Sequence, residues 1–421
     1  MPIMVQWEVT PVCNHNCIHC YNYWRSVQPT SPFVENYEIL YSHIVSELVN
    51  NKVFGVVITG GEPLVVIEKI QTYIKSLVEG GIRVTLNSNL SVLNKNKAEI
   101  LKACGVKSIL VSLPSADPQV CDQITGVDGS LPRIIKGIKL AKSFGFPLYV
   151  NMVVSKINFN QIIETAELVS SLGLTNFAVT RASDPSSNKG FADQVLDLND
   201  FRKMQRSLEL AGRKFSLKMN SLEANPICAY GDIKPVQGYK FCTAGKTTCT
   251  IGFDGNVRPC NRISESYGNI SLGLHTVWQA MSIWRTEELL PEVCQDCAVK
   301  TRCLGGCKAD AITLYNSKKE VDPLCDMKYM PQLDELRKPE IPPTSDNIFR
   351  VNPKLHTREE LFGGILFVTP SSWVPVDHRL YKLFSPKRDV IALHEIQKVL
   401  NVGMEKTIPV ASYLKHKQIF L

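Results

Sequence analysis

The sequence predicts an α/β chain: a partial (β/α)6 TIM-like barrel, then a cysteine-rich segment, then a small α+β C-terminal module. Three observations predict it. Over the first 180 residues, short β-rich runs alternate with amphipathic stretches. Cysteine and glycine then dominate between Cys228 and Cys325. A proline-rich stretch, 331–347, precedes a tail with strand and helix signals of its own.

Candidate strands fall at residues 4–9, 54–59, 83–87, 108–113, 148–154 and 176–180. Helical patterns lie between them at 35–50, 64–79, 95–103, 131–144 and 159–172. Alternation at this spacing calls for right-handed crossovers and a parallel sheet. Six such units make an incomplete barrel, whose reactive end lies at the C-terminal ends of the strands. A polar stretch at 184–189 leads to one more helix near 200–212, and the cysteine-rich segment reads as having little secondary structure. Pro331, Pro339, Pro342 and Pro343 mark a linker. In the tail, Gly363 and Gly364 precede an apolar run, which predicts a tight turn into a strand. Residues 380–384 follow, then 390–400, where Ile391, His394 and Val399 keep a helical spacing. Strands before small helices predict a winged-helix-like module. The expected domains are 1–190, 191–240, 241–330, 331–347 and 348–421, with no internal repeat.

The chain has 421 residues, 44% hydrophobic and 21% charged, which excludes disordered, collagenous and low-complexity classes. No apolar run reaches the roughly 18 residues needed to cross a bilayer, so no membrane partner is expected. Residues 1–10 show neither a basic nor an apolar signal region, which predicts a cytoplasmic chain. Disulfides are rare in that compartment, so the 14 cysteines point to metal. The net charge of +7 forms no basic block, and nucleic acid is not an expected partner.

Cys13, Cys17 and Cys20 form C-x3-C-x2-C directly after the first predicted strand. Three thiolates turned inward suit a cubane iron–sulfur cluster with one iron left for an outside chelator. Spacing alone leaves open three buried thiols, or a zinc site completed by His15 or His19. The second strand runs into Thr59-Gly60-Gly61-Glu62-Pro63 at the same barrel mouth. Two glycines allow a ligand to approach the backbone closely, and Glu62 can accept from an ammonium group. A plain turn before a helix is the alternative.

With both motifs in place, the first 180 residues resemble the radical S-adenosylmethionine (SAM) enzymes. The resemblance implies a 4Fe–4S cluster on Cys13, Cys17 and Cys20, its fourth iron chelated by the amino-acid part of SAM. It implies Gly60, Gly61 and Glu62 at the methionyl amine, and Ser88 and Asn89 as further cofactor contacts. Ser112 and Asn151 match ribose-contacting positions, and Arg181 a position for the methionyl carboxylate. His19 and Tyr21 are its ring candidates beside the adenine, with packing around the loop as the alternative. Cluster and cofactor together would give a 5′-deoxyadenosyl radical that abstracts hydrogen from unactivated C–H bonds, while the barrel positions the substrate and excludes water.

The remaining clusters are Cys242-x6-Cys249-x10-Cys260, then Cys294-x2-Cys297-x5-Cys303-x3-Cys307, then Cys325. Alone, the Cys294–Cys307 portion reads equally as a zinc ribbon. Beside the N-terminal motif it resembles the SPASM extension of radical SAM enzymes, which implies two auxiliary 4Fe–4S clusters. Cys242, Cys249, Cys260 and Cys307 would hold one, and Cys294, Cys297, Cys303 and Cys325 the other. Cys104, Cys121 and Cys228 are left over. The first two read as structural, and Cys228 is a candidate hydrogen-atom donor to a substrate radical, with a buried thiol as the alternative.

The run from Thr357 to Phe367 faintly resembles the small peptide-binding domains of pyrroloquinoline-quinone and mycofactocin biosynthesis. Those hold a leader peptide by strand addition, and a structural cap over the barrel is the alternative. The resemblances together imply a maturase of a ribosomally made peptide, acting by crosslinking, epimerisation, decarboxylation or backbone excision. Its partners would be a precursor peptide or protein, a reductant such as flavodoxin or ferredoxin, and in some arrangements a separate peptide-recognition protein. Two other readings stand beside it: a sulfatase-maturating, formylglycine-forming enzyme, and a non-catalytic iron–sulfur scaffold or electron carrier. Gly60-Gly61-Glu62 speaks against the last, since an electron carrier needs no methionyl site.

Overall fold

The computed structural model describes residues 1–22, 24, 31–185, 190–235, 238–329, 342–370 and 372–421. Most of the stretch expected at 184–189, and the larger part of the proline-rich linker, lie outside the described residues. The chain divides into two compact units, 2–335 and 336–421, the latter joined by Met1.

The first unit opens with β1 (Met4–Glu8), α1 (Tyr37–Asn50), β2 (Gly55–Thr59), α2 (Ile67–Glu79), β3 (Arg83–Ser88) and α3 (Lys95–Ala103). It continues with β4 (Ile109–Ser112), α4 (Pro118–Thr125), α5 (Ser130–Ser143), β5 (Leu148–Val154), α6 (Ile162–Ser171) and β6 (Asn176–Arg181). All six expected strands and five expected helices are present, with shifted ends. The helices form where one face is apolar: Ile67, Ile70, Ile74 and Leu77 of α2 are buried, while Glu68 and Lys69 face solvent. In β1, Val5 and Trp7 are fully buried. The Trp7 ring meets Tyr41 of α1 edge-on at 4.9 Å, and the Tyr41 hydroxyl donates to Val9 O at 2.6 Å.

Helix α4 lies outside the expected elements. Its signal was local: Asp117 caps it by accepting from Gln119 and Val120 N–H, and Pro118 occupies the first turn. The long α7 (Leu198–Phe215) then buries Phe201, Met204, Leu208 and Ala211.

The six expected strands lie side by side, and three more extend them to a nine-stranded sheet in the order β7-β6-β5-β4-β3-β2-β1-β8-β9. β7 (Lys218–Asn220) extends it beyond β6 in parallel. β8 (Thr248–Ile251) pairs in parallel with β1, Val5 opposite Cys249, and β9 (Val257–Arg258) returns antiparallel. The cysteine-rich segment thus builds onto the open side of the barrel. It also carries α8 (Leu274–Ala280), α9 (Lys300–Cys303) and α10 (Lys308–Tyr315), so it holds more secondary structure than its composition predicted.

The second unit pairs β10 (Ile348–Arg350) antiparallel with β14 (Val390–Ala392). A separate antiparallel sheet runs β11 (His356–Glu360), β12 (Gly363–Thr369) and β13 (Ser372–Asp377). The expected turn is the two-residue loop Leu361 and Phe362, with Glu360 opposite Gly363. Three helices, α11 (His378–Phe384), α12 (Leu393–Leu400) and α13 (Met404–His416), pack on a core of Phe349, Leu366, Ile391, Ile396, Leu414 and Phe420. The Phe349 and Phe420 rings stack at 4.7 Å. Among the described residues, no helix is long and apolar enough to cross a membrane.

Candidate active site

The C-terminal ends of β1 to β6 open on one cavity of about 380 Å³. Cys13, Cys17 and Cys20 line it from the loop after β1. Long-range bonds fix that loop. Asn16 and Ile18 N–H donate to Thr125 and Ile124 carbonyls at 2.8 and 3.0 Å, so the end of α4 is its seat. Asn89 Nδ2 donates to Asn14 Oδ1 at 3.0 Å, and Asn14 Nδ2 donates to Ser91 Oγ at 2.8 Å. His15 Nε2 lies 3.1 Å from Ser91 Oγ, which gives it a role in holding the loop.

The Gly-Gly-Glu segment is the other half of this seat. Gly61 N–H donates to Thr10 O at 2.6 Å and Glu62 N–H to Val12 O at 2.9 Å. A Cβ on Gly61 would stand 2.0 Å from Val12 O, and Gly60 has φ +133°. The glycines are therefore required by the approach of the cysteine loop's own backbone, a reason the sequence did not show. Glu62 is buried at the cavity wall. Ser88 Oγ donates to its Oε1 at 2.7 Å, Asn89 N–H to Oε2 at 2.8 Å and Leu64 N–H to Oε1 at 3.0 Å. Burial raises its pKa against those donors. This network links β2 and β3 and aims a carboxylate into the cavity.

Every other residue expected to touch the cofactor also lines the cavity: Ser88, Asn89, Ser112, Asn151, His19, Tyr21 and Arg181. Burial lowers His19 to about 4, so its ring is neutral near pH 7 and can stack on a neutral base. Tyr21 Oη accepts from Asn261 Nδ2 at 2.8 Å. Asn151 Oδ1 accepts from Thr180 Oγ1 at 2.7 Å, which leaves its amide nitrogen for a ligand. Arg181 lines the cavity with protein partners of its own. Its guanidinium is 2% exposed and already matched by protein groups: Asp310 at 2.7 Å, Asp322, and Asn225 Oδ1 at 2.8 Å. It pins β6 to α10.

The thiols of the cysteine-rich segment divide between two places. Cys242, Cys249, Cys260 and Cys307 line the same cavity. Burial pushes Cys249 up to about 12, so a metal here must displace protons. Arg262 Nη2 donates to Cys307 Sγ at 2.6 Å, and the same guanidinium reaches Asp310 and Ser183. Arg262, Asp310 and Asp322 were missed by sequence reasoning, since nothing local distinguishes them from surface charges.

Cys294, Cys297, Cys303 and Cys325 gather elsewhere, and Cys228 sits with them, its Sγ 3.4 Å from that of Cys325. Cys228, the candidate hydrogen donor, stands with this second group, outside the residues that line the cavity.

The donors fit the implied groups. Cys13, Cys17 and Cys20 on one side and Cys242, Cys249, Cys260 and Cys307 on another line the cavity, and thiolates are the donors that iron–sulfur clusters take. Gln6 Oε1, Asn22 Oδ1 and Glu223 Oε2 are buried in its wall without a hydrogen-bond partner among the described residues, and a polar ligand would satisfy them.

Two family profiles match the chain: the radical SAM superfamily over residues 7–169, and an iron–sulfur cluster-binding domain, SPASM, over 242–298. The AdoMet-dependent heme synthase of Methanosarcina barkeri is 27% identical, spanning 77% of this chain and 96% of that protein. Mycofactocin maturase of Mycolicibacterium smegmatis is also 27% identical, over 73% of this chain and 78% of that one. The crystal structure of Streptococcus suis SuiB bound to S-adenosylmethionine aligns with a TM-score of 0.62 at 21% identity, covering 77% of both chains, and shares the fold. With its three-cysteine loop, its Gly-Gly-Glu seat and two further groups of four thiols, this chain carries a radical SAM domain followed by a SPASM domain and is a radical SAM enzyme.

Proposed function

We propose that this enzyme matures a ribosomally made precursor peptide, with three 4Fe–4S clusters on the ligand sets described above. The single observation that carries the reading is the shared cavity. The SAM seat forms one wall and four SPASM thiols another, so a substrate held between them meets both. Bound cluster and SAM would supply a 5′-deoxyadenosyl radical, paid for by one electron from a flavodoxin- or ferredoxin-type donor. The chain's own residues do the rest. Glu62 accepts the methionyl ammonium, Asn151 presents a free amide toward the ribose, and His19 offers an uncharged ring. The buried walls keep water from the radical.

Relatives of this chain include mycofactocin maturase, a subtilosin biosynthesis protein and a PqqA peptide cyclase, which supports the substrate class. We further assign the 336–421 unit to leader-peptide binding along an edge of its β11–β12–β13 sheet, with a separate recognition protein as the alternative arrangement. Added precursor should then protect β11 or β13 amides from hydrogen exchange.

The test of the main reading is a reduced, reconstituted enzyme given SAM and the short peptides encoded beside its gene. Formation of 5′-deoxyadenosine with a mass change in one peptide is expected. A loaded enzyme that forms no 5′-deoxyadenosine would favour the scaffold reading. A second catalytic reading rests on the Methanosarcina relative, 96% of which aligns here: AdoMet-dependent synthesis of heme. Formation of heme with SAM consumed and peptides untouched would establish it. Sulfatase maturation would be revealed by formylglycine in a Cys- or Ser-containing sulfatase peptide.

A further inference from the structure

The second auxiliary group holds five thiols where a four-iron cluster takes four. Cys294, Cys297, Cys303 and Cys325 account for the cluster, and Cys228 stands among them. Its placement is built by several contacts. Cys228 lies on the buried turn Ile227–Tyr230, and the Ile227 N–H donates to Cys303 Sγ at 3.4 Å. Its own sulfur is 3.4 Å from Cys325 Sγ. Arg202 of α7 clamps the two segments together. Its Nε donates to Ala229 O at 3.0 Å, on the Cys228 turn, and its Nη2 binds Asp326 at 2.7 Å, next to Cys325. Cys228 is buried, whereas Cys325 is partly exposed.

We propose that Cys228 is a fifth ligand of this site, able to take the iron position that Cys325 occupies. The exchange involves no redox change. The Cys228 thiol gives up its proton as its Fe–S bond forms, and the Cys325–iron bond breaks with that thiolate taking up a proton. Two thiols held within contact distance share one iron without movement of either backbone segment. Such a site keeps its cluster when the exposed ligand lets go.

The proposal rests on the reading of these thiols as an iron–sulfur site. Its test is iron content and Mössbauer or EPR spectra of the full chain after anaerobic reconstitution, for wild type, Cys228→Ala, Cys325→Ala and the double variant. Wild type and both single variants should hold about twelve irons per chain from three four-iron clusters. The double variant should lose about four, and Cys325→Ala should show an altered spectrum for one cluster. A Cys325→Ala protein at about eight irons beside a fully loaded wild type overturns the fifth-ligand role alone. A double variant that keeps all its iron overturns it too. A wild type that binds zinc or nothing at this site overturns the proposal together with the iron–sulfur reading. Cys325→Val, which fills the site without a ligating atom, replaces the alanine variant if that fails to fold, with the same expected counts.

Discussion

Arg181→Met isolates the buried network between β6 and α10. Arg181 is 2% exposed and binds Asp310 at 2.7 Å, Asp322, and Asn225 at 2.8 Å. Methionine fills a similar volume and carries no charge. Asp310 keeps Arg262 at 3.3 Å, but Asp322 keeps only the Cys307 and Leu324 N–H donors, at 2.8 and 2.9 Å. Breaking one partner out of a buried ion pair costs about 3–5 kcal/mol. At roughly 2 °C per kcal/mol for a unit of this size, melting should fall by about 6–10 °C. The pH dependence has a definite sign. Burial raises the Asp322 carboxyl above its ordinary range even with Arg181 present, and it rises further without it. A raised carboxyl favours folding at low pH, and that advantage is lost as pH rises through the folded pKa. The variant's deficit should therefore be larger at pH 8 than at pH 5. Anaerobic thermal melts, with SAM affinity by equilibrium dialysis on the same samples, provide the assay. Unchanged melting with lost SAM affinity would refute the argument and return Arg181 to the methionyl carboxylate.

Other outcomes follow from the same geometry. Gly61→Ala puts a Cβ 2.0 Å from Val12 O, a backbone atom, and should cost about 1–3 kcal/mol while displacing the cysteine loop; normal melting and full N-terminal cluster iron would count against it. Arg262→Met removes the guanidinium 2.6 Å from Cys307 Sγ, so an EPR-monitored redox titration should show a lower potential for the cluster at Cys307; an unmoved midpoint would show that the contact has no electronic effect. Cys104→Ala and Cys121→Ala should keep all iron, because these buried thiols hydrogen-bond to Gln71 O at 3.3 Å and Ser130 Oγ at 3.1 Å, apart from the other cysteines. Iron lost from either variant would contradict their structural role.

The strand–helix alternation and the cysteine spacings were legible because both are local. A 3.6-residue or two-residue period reports one buried face, and a short loop with three thiols is a ligand set before anything packs. Even α4, overlooked, announced itself in Asp117 and Pro118. The reasons behind several motif residues were not legible. Gly61 reads as an opening for a ligand, yet it is the cysteine loop, about fifty residues earlier, that leaves no room for a Cβ. Asn89 reads as a cofactor contact, and it also splints Asn14.

The sequence by itself determined the parallel half-barrel, the residues at its mouth and the grouping of the cysteines into spaced motifs. Tertiary structure alone decided where the cysteine-rich segment attaches, which it does through β8 on β1. It alone put four of those thiols in the cofactor cavity, gave Arg181 to Asp310 and Asp322, and set Cys228 against Cys325. The physical reason is common to all four. Each is a contact between residues 97 to 244 positions apart or more, or a charge matched only on burial, and no local periodicity carries that information.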